Sequence, residues 1–287
     1  MKSSITLPTI SQTEFSKRLK KNQLENTKLI KCIENYLAKE RGFVFKMPQK
    51  NSPVILLLSG GLDSIAVWFL LLKVYQFNVY PLFYFRKKRL INSLDPNFRA
   101  ILHYSKLFKS KYKKNFHPVY SAEFLIPQRK ITRQTLIAAR SNPKFLLDHL
   151  DPTEEISLES TNLMTVMVSV AFDYVQLLSA QHNLNINTVF SAVTASDGIA
   201  IKSQTLTSSR ATMLSICSSL NNYQLQYTSP LIEPTLKHHI NKKELFTWAT
   251  KNHLNLSKTW SCYQASFFSC QKCPGCLSRN HWTNLDK

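Results

Sequence analysis

The chain has 287 residues, 44% of them hydrophobic, enough to bury one sizeable core and a small appendage. Its 37 Lys and Arg against 17 Asp and Glu give a formal net charge of +20, more than a small-molecule enzyme needs. No apolar signal-peptide core follows Met1, and the six cysteines are not arranged as a secreted disulfide framework, so a cytoplasmic protein is expected.

In chain order, residues 11–42 carry apolar positions Phe15, Leu19, Leu29, Ile33 and Tyr36 at helical spacing and end at Gly42. Residues 1–50 are therefore expected as an N-terminal helical extension. Val54–Leu58 predicts a short buried strand, and residues 62–75 a helix. The run 53–75 is apolar enough to imitate a membrane span, but Gly60, Gly61 and Asp63 at its centre argue against one, and no membrane partner is expected. Next come a strand over Val79–Phe85 and a helix from about Pro96 to Lys114. A long apolar helix follows over 160–182, then a strand over Asn187–Val193 and helices over 205–220 and 241–254. Strands alternating with helices predict an α/β fold, a parallel sheet covered on both faces. It spans residues 51–258, with a small module over 259–287.

The segment Ser59-Gly60-Gly61-Leu62-Asp63-Ser64 follows the first strand directly. Two residues without Cβ permit a sharp turn and close approach to a ligand. The helix that opens there presents unpaired N–H groups to a polyanion. Asp63 would repel a bare phosphate, so its natural role is to hold a Mg²⁺ accompanying pyrophosphate. No Gly-Lys-Ser/Thr follows, so this is not a Walker A loop. At the other end Cys262, Cys270, Cys273 and Cys276 are spaced C-x7-C-x2-C-x2-C around Pro274 and Gly275. Four thiolates suit a closed structural Zn²⁺ site, with an iron–sulfur cluster as the alternative. Cys32 and Cys217 read as ordinary small apolar residues.

Ser-Gly-Gly-x-Asp-Ser resembles the signature of the PP-loop ATP pyrophosphatases, which cleave ATP to AMP and pyrophosphate. Together with Thr259-Trp-Ser-Cys-Tyr263, the three later cysteines and Arg279, it resembles the 7-cyano-7-deazaguanine synthases of queuosine biosynthesis. Pro230-Leu231 and Lys243-Glu244 fall where that family has a Pro-Leu strand exit and a Lys-x-Glu helix start. The resemblance implies an adenine nucleotide alpha-hydrolase-like sheet, with ATP bound by Ser59, Gly60, Gly61, Leu62, Asp63 and Ser64. Asp63 and Ser64 would carry the catalytic contacts. It also implies a ligase that adenylates the carboxylate of a 7-deazaguanine, passes it to ammonia and dehydrates the amide to a nitrile. Asp197 aligns with the family's Gly-Val-x-x-x-Asp segment and would read the guanine-like edge, although an Asp capping a local turn fits as well. Gln204, Thr205 and Ser209 lie in the adjoining polar stretch.

Departures are concentrated in the middle. Phe85-Arg86-Lys87-Lys88-Arg89 replaces an Asp-Tyr-Gly-Gln-like segment, Glu159-Ser160-Thr161-Asn162 a Gly-Arg-Asn turn, and Gly198-Ile-Ala-Ile-Lys-Ser a Gly-Tyr-Pro-Asp-Cys-Arg. The ATP and zinc ends are kept while the substrate half is rewritten. Basic runs at Lys17–Lys21, Arg86–Arg89, Lys106–Lys114 and Arg129–Arg140 suggest a polyanionic partner such as tRNA, DNA or an acidic protein. Phe108, Tyr112 and Phe116 interleave the third run. Three alternatives to the nitrile-forming ligase stay open. One is conjugation of the adenylated deazapurine to a protein or nucleic acid, since relatives of this family occur in bacterial antiphage gene clusters. The others are tRNA thiolation and a non-enzymatic binding module. A homodimer is left open.

Overall fold

The computed structural model describes residues 6–85, 95–123, 163–262 and 268–283. The N-terminal region forms two helices, α1 (Gln12–Lys21) and α2 (Thr27–Arg41), rather than one. Polar residues make the break: the Asn22 side chain accepts from Leu24 N–H, and Asn26 caps α2 by accepting from Leu29 N–H. The buried stripe of α2 is Ile30, Ile33 and Leu37, whereas Leu29 and Tyr36, expected on that face, are each 42% exposed. The helix ends on Gly42 at φ +81°, a left-handed position suited to glycine.

The chain then lays down β1 (Pro53–Leu58), α3 (Leu62–Lys73), β2 (Asn78–Phe85), α4 (Pro96–Lys111) and β3 (Tyr120–Glu123). It continues with α5 (Leu163–His182), β4 (Thr188–Phe190), α6 (Leu206–Ser219), β5 (Gln226–Thr228), α7 (Lys242–Lys251) and α8 (Pro274–Thr283). The strands form one parallel sheet in the order β3-β2-β1-β4-β5. In register, Val54 faces Val79 of β2 and Leu56 faces Phe190 of β4, so β1 is central.

The two-residue strand period divides the core. Val54, Leu56 and Leu58 pack on one face with Trp68 and Phe69 of α3, Tyr104 and Phe108 of α4, and Leu245 and Trp248 of α7. Ile55 and Leu57 pack on the other with Ile33 and Leu37 of α2, Phe172 of α5 and Met213 of α6. The expected α/β sheet with helices on both faces is therefore present, and α2 shares its core. Phe108 is fully buried and Phe116 stacks on Trp68. The aromatics within the third basic run thus serve the core and not an outer surface. Cys217 is buried, as expected of a small apolar residue, whereas Cys32 is exposed.

A buried ion pair ties the second layer together. The Arg210 guanidinium reaches both Glu233 oxygens at 2.9 and 3.0 Å and Glu34 of α2 at 2.8 Å. Burial pushes the Glu233 carboxyl up, but the Arg210 charge and its hydrogen bonds outweigh that and hold it below the usual range. Arg86–Arg89 and Arg129–Arg140 lie outside the described residues. No helix among the described residues is long and apolar enough to cross a membrane.

Candidate active site

Loop Ser59–Gly61 sits at the carboxyl end of central strand β1, where ligands of open parallel sheets bind. Its shape is held by short-range bonds. The Ser59 and Ser64 hydroxyls lie 3.0 Å apart, Ser59 N–H donates to Ser64 Oγ at 3.2 Å, and Ser64 Oγ donates to the Gly61 carbonyl at 3.1 Å. Gly60 has φ +77°, and a Cβ there would lie 2.4 Å from the Asn97 carbonyl oxygen at the start of α4. Gly61 is the N-cap of α3 and gives it no side-chain cap, so the first N–H groups of that helix face the loop opening. This is a backbone cradle suited to an anion.

Asp63, in the first turn of α3, is a quarter exposed, but its Oδ1 is buried and has no hydrogen-bond partner. Lys242, the first residue of α7, stands between two carboxylates: its Nζ is 2.6 Å from Asp197 Oδ1 and 3.7 Å from Asp63 Oδ2. Desolvation pushes the Asp63 carboxyl up to about 7; Lys242 opposes this and the Asp197 charge adds to it. Asp197 also accepts from Thr194 N–H at 2.9 Å and Thr194 Oγ1 at 2.8 Å through Oδ2. It therefore closes a local turn, the capping role its sequence context offered, and its other oxygen reaches Lys242 beside the Ser59–Ser64 loop.

The sequence missed Lys242. The Lys-x-Glu helix start falls on Lys242 and Glu244 rather than on Lys243-Glu244. The available signal was the capping box: Asn241 accepts from Glu244 N–H while Glu244 accepts from Asn241 N–H, which fixes Lys242 at the first helical position. The sequence also missed Asn22 and Glu25. Asn22 Nδ2 donates to the Gly198 carbonyl at 2.9 Å. The Glu25 carboxylate accepts from Leu206 N–H and Thr207 N–H at 2.8 and 2.9 Å, capping α6 from the far end of the chain.

The four cysteine sulfurs of Cys262, Cys270, Cys273 and Cys276 lie within 4.8 Å of one another. Cys270–Cys276 and Cys262–Cys273 are 3.9 and 4.0 Å apart. A Zn–S bond of about 2.3 Å places tetrahedral sulfurs about 3.8 Å apart, so one ion fits this cluster. Backbone N–H donation, led by that of Lys272, brings the Cys270 thiol down to about 6, whereas burial first, and neighbouring thiols after it, push Cys276 up to about 12. The cluster is joined to the loop. Trp260 N–H donates to the Gly60 carbonyl at 3.0 Å, Trp260 Nε1 donates to the Cys262 carbonyl at 3.1 Å, and Arg279 donates to the Thr259 and Ser257 carbonyls.

A parallel sheet with a Ser-Gly-Gly-Leu-Asp-Ser loop at the end of its central strand, joined to a four-cysteine module, defines a PP-loop-type α/β protein. Residues 164–284, under half of the chain, match the model of the family described as queuosine biosynthesis protein QueC. This stretch holds Asp197, Lys242 and the four cysteines, but not the Ser59–Ser64 loop. The chain is 37% identical over 59 residues to the 7-cyano-7-deazaguanine synthases of Prochlorococcus marinus strains AS9601 and MIT 9215. The alignment covers 21% of this chain and 24% of each relative, so the chain spans about a quarter of their length. Over this C-terminal stretch the chain is similar to that family.

Among solved structures, the tRNA thiolase NcsA of Methanococcus maripaludis, with its 4Fe–4S cluster, aligns at 15% identity. Its TM-score is 0.38, and the alignment covers 96% of this chain and 79% of that one. The NMN synthetase of Francisella tularensis aligns at 12% identity and a TM-score of 0.36, covering 96% and 94%. Scores of this size mark a loose resemblance only.

Proposed function

We propose that the protein is an ATP-dependent, AMP-forming ligase that adenylates a carboxylate on a 7-deazaguanine-type substrate. The observation that carries this reading is the juxtaposition of Asp63 and Asp197 through Lys242 at the mouth of the Ser59–Ser64 cradle. An ATP triphosphate lying over the loop would meet the α3 N–H groups and the Ser59 and Ser64 hydroxyls. A substrate carboxylate oxygen attacks the α-phosphorus, the bond to the β-bridging oxygen breaks, and pyrophosphate leaves toward the cradle. No side-chain nucleophile is needed. The protein supplies position and charge: Lys242 is the fixed cation beside the loop, and the helix N-terminus faces the departing anion.

Asp63, with its unpartnered Oδ1, would hold the Mg²⁺ that accompanies pyrophosphate and neutralises its charge. The four cysteine thiolates would hold Zn²⁺ as a closed structural site, bracing Trp260 against Gly60. Asp197 is proposed to read the amino and N1–H edge of the guanine-like ring through Oδ1, the oxygen that Lys242 occupies in the free protein. Ammonia displacing AMP gives the amide, and a second ATP activates the amide oxygen for loss to the nitrile. Conjugation to a macromolecular amine is the second reading, supported by the rewritten residues 198–203 beside Asp197.

The test is incubation with Mg·ATP, ammonium and 7-carboxy-7-deazaguanine, followed by mass spectrometry of the deazapurine. A nitrile or amide supports the ligase, an accumulating adenylate supports conjugation, and unchanged acid contradicts both. Elemental analysis of the purified chain is expected to find one zinc per chain. Iron with sulfide would instead favour thiolation.

A further inference from the structure

A cleft of about 500 Å³ lies between the start of α4 and the cysteine module, with Cys262, Cys276 and Trp260 in its wall. Its charged lining is of one sign: Arg99 and His103 from α4, Lys258 from the approach to the cysteines, and Arg279 from α8. Among the described residues no carboxylate lines it. The nearest acidic residue in sequence, Asp95, is buried and spends one oxygen capping α4 through Asn97 and Phe98 N–H. Neutral polar side chains complete the wall, among them Gln271 and Asn280, and Trp260 also lines it. Arg279 donates to the Ser257 and Thr259 carbonyls and so serves as scaffold. Arg99, His103 and Lys258 are exposed.

The charge does not stop at the cleft. Arg99, His103 and Lys106 fall at i, i+4 and i+7 of α4, and all three are exposed, so they form one stripe leading away from it. Seven residues of helix rise about 10 Å, so the stripe can meet more than one phosphate of an extended strand at a time. The opposite side of α4 carries Ile101, Tyr104 and Phe108 into the core, which holds the stripe rigid. Phe268, beside the lining residue Ser269, is 85% exposed at the same module.

We propose that this cleft and the α4 stripe bind the backbone of a single-stranded nucleic acid. A cationic groove with an aromatic residue, neutral polar side chains and, among the described residues, no carboxylate is the chemistry that single strands select. A cleft of about 500 Å³ has room for a nucleotide. The assignment is independent of the ligase reading, since none of these side chains belongs to the loop, to Asp197 or to Lys242.

The test is fluorescence anisotropy of the full chain with fluorescein-labelled single-stranded RNA and DNA of about 20 nucleotides, with polyglutamate as an acidic-protein control. Arg99→Ala/Lys106→Ala/Lys258→Ala is expected to weaken binding tenfold or more, and to lower the log–log salt slope by about 2, as losing three phosphate contacts requires. Lys17→Ala/Lys20→Ala/Lys21→Ala, removing the same charge from α1, is expected to change affinity less than about threefold. The charge-keeping Arg99→Lys/Lys106→Arg/Lys258→Arg protein should bind as the wild type does, which separates charge from folding. Equal losses in the two alanine triples, no binding of either oligonucleotide, or polyglutamate binding as tightly would overturn the proposal.

Discussion

Ser59–Ser64 and the segment from Thr194 to Thr207 face one another across Lys242, yet they are held by different kinds of contact. The loop is shaped by bonds among Ser59, Gly61 and Ser64, all within six residues, and by two backbones that press on it at Asn97 and Trp260. The opposing segment is held from the N-terminal region: Asn22 takes the Gly198 carbonyl, Glu25 caps Leu206 and Thr207, and Glu34 reaches Arg210. A functional loop can thus be local in its geometry while its counterpart depends on residues some 180 positions away. The half of the site that departs from the family pattern is the half braced by α1 and α2, so the N-terminal region belongs to the architecture of the site.

The largest effect is expected where the distant bracing is buried. Arg210 and Glu233 side chains are fully buried. Arg210→Ala strands a carboxylate and should cost about 3–5 kcal/mol in chemical denaturation. The double change Arg210→Met/Glu233→Leu should recover much of that loss. On the loop side, Asp63→Ala should reduce pyrophosphate release by about 10²–10³-fold with the fold intact, the size of one strong electrostatic contact. Near-normal turnover would remove the role assigned to Asp63.

Gly60→Ala sharpens the comparison. A left-handed φ costs a Cβ-bearing residue about 1–2 kcal/mol, and the contact with Asn97 adds to it. Gly61, at φ −74° and with its nearest prospective contact 3.3 Å away at Ser59 Oγ, should tolerate alanine better in the same melting experiment. Glu25→Ala removes a cap from α6 and is expected to cost about 1–2 kcal/mol. A matching loss of affinity for the deazapurine, with ATP affinity unchanged, would tie the N-terminal region to the substrate half.

The smallest effect is in pH dependence. The Asp63 pKa in the folded chain, raised chiefly by burial to about 7, lies above its value of about 4 in an unfolded chain. The folded form therefore binds the extra proton, and this group's contribution is most favourable below about pH 4 and declines as pH rises toward 7. Asp63→Asn should flatten that decline in melting temperatures measured across the range. Partial exposure of the side chain screens the effect and keeps it modest.

What was legible in the sequence follows the same division. Five apolar residues running into Ser-Gly-Gly announced β1, the turn and α3, because each is decided by its own neighbours. The cysteine spacing likewise predicted a cluster, and the sulfurs converge. Strand β3 was hidden because Tyr120 and Glu123 are exposed and only Ser121 and Ala122 are half-buried, which leaves no apolar run to read. Strand β5 has three residues, two of them polar, and the helix over Pro274–Thr283 opens on Pro-Gly-Cys, residues that read as a metal-binding turn. The aromatics of the third basic run misled because basic and core-packing residues are interleaved through the end of α4 and the turn after it, and spacing alone does not say which face meets solvent. The capping box could place Lys242 at the helix start, but its pairing with Asp63 and Asp197, like that of Glu25 with Leu206 and Thr207, needed the fold, since these partners are distant in sequence.

The most direct test of the account is exchange of labelled pyrophosphate into ATP, in the presence of 7-carboxy-7-deazaguanine and Mg²⁺, by the wild-type chain and by Asp63→Ala. Exchange that requires the acid and falls by about two orders of magnitude or more in the variant is predicted if an adenylate forms over the loop. Cleavage of ATP to ADP and phosphate, or exchange untouched by Asp63→Ala, would contradict it.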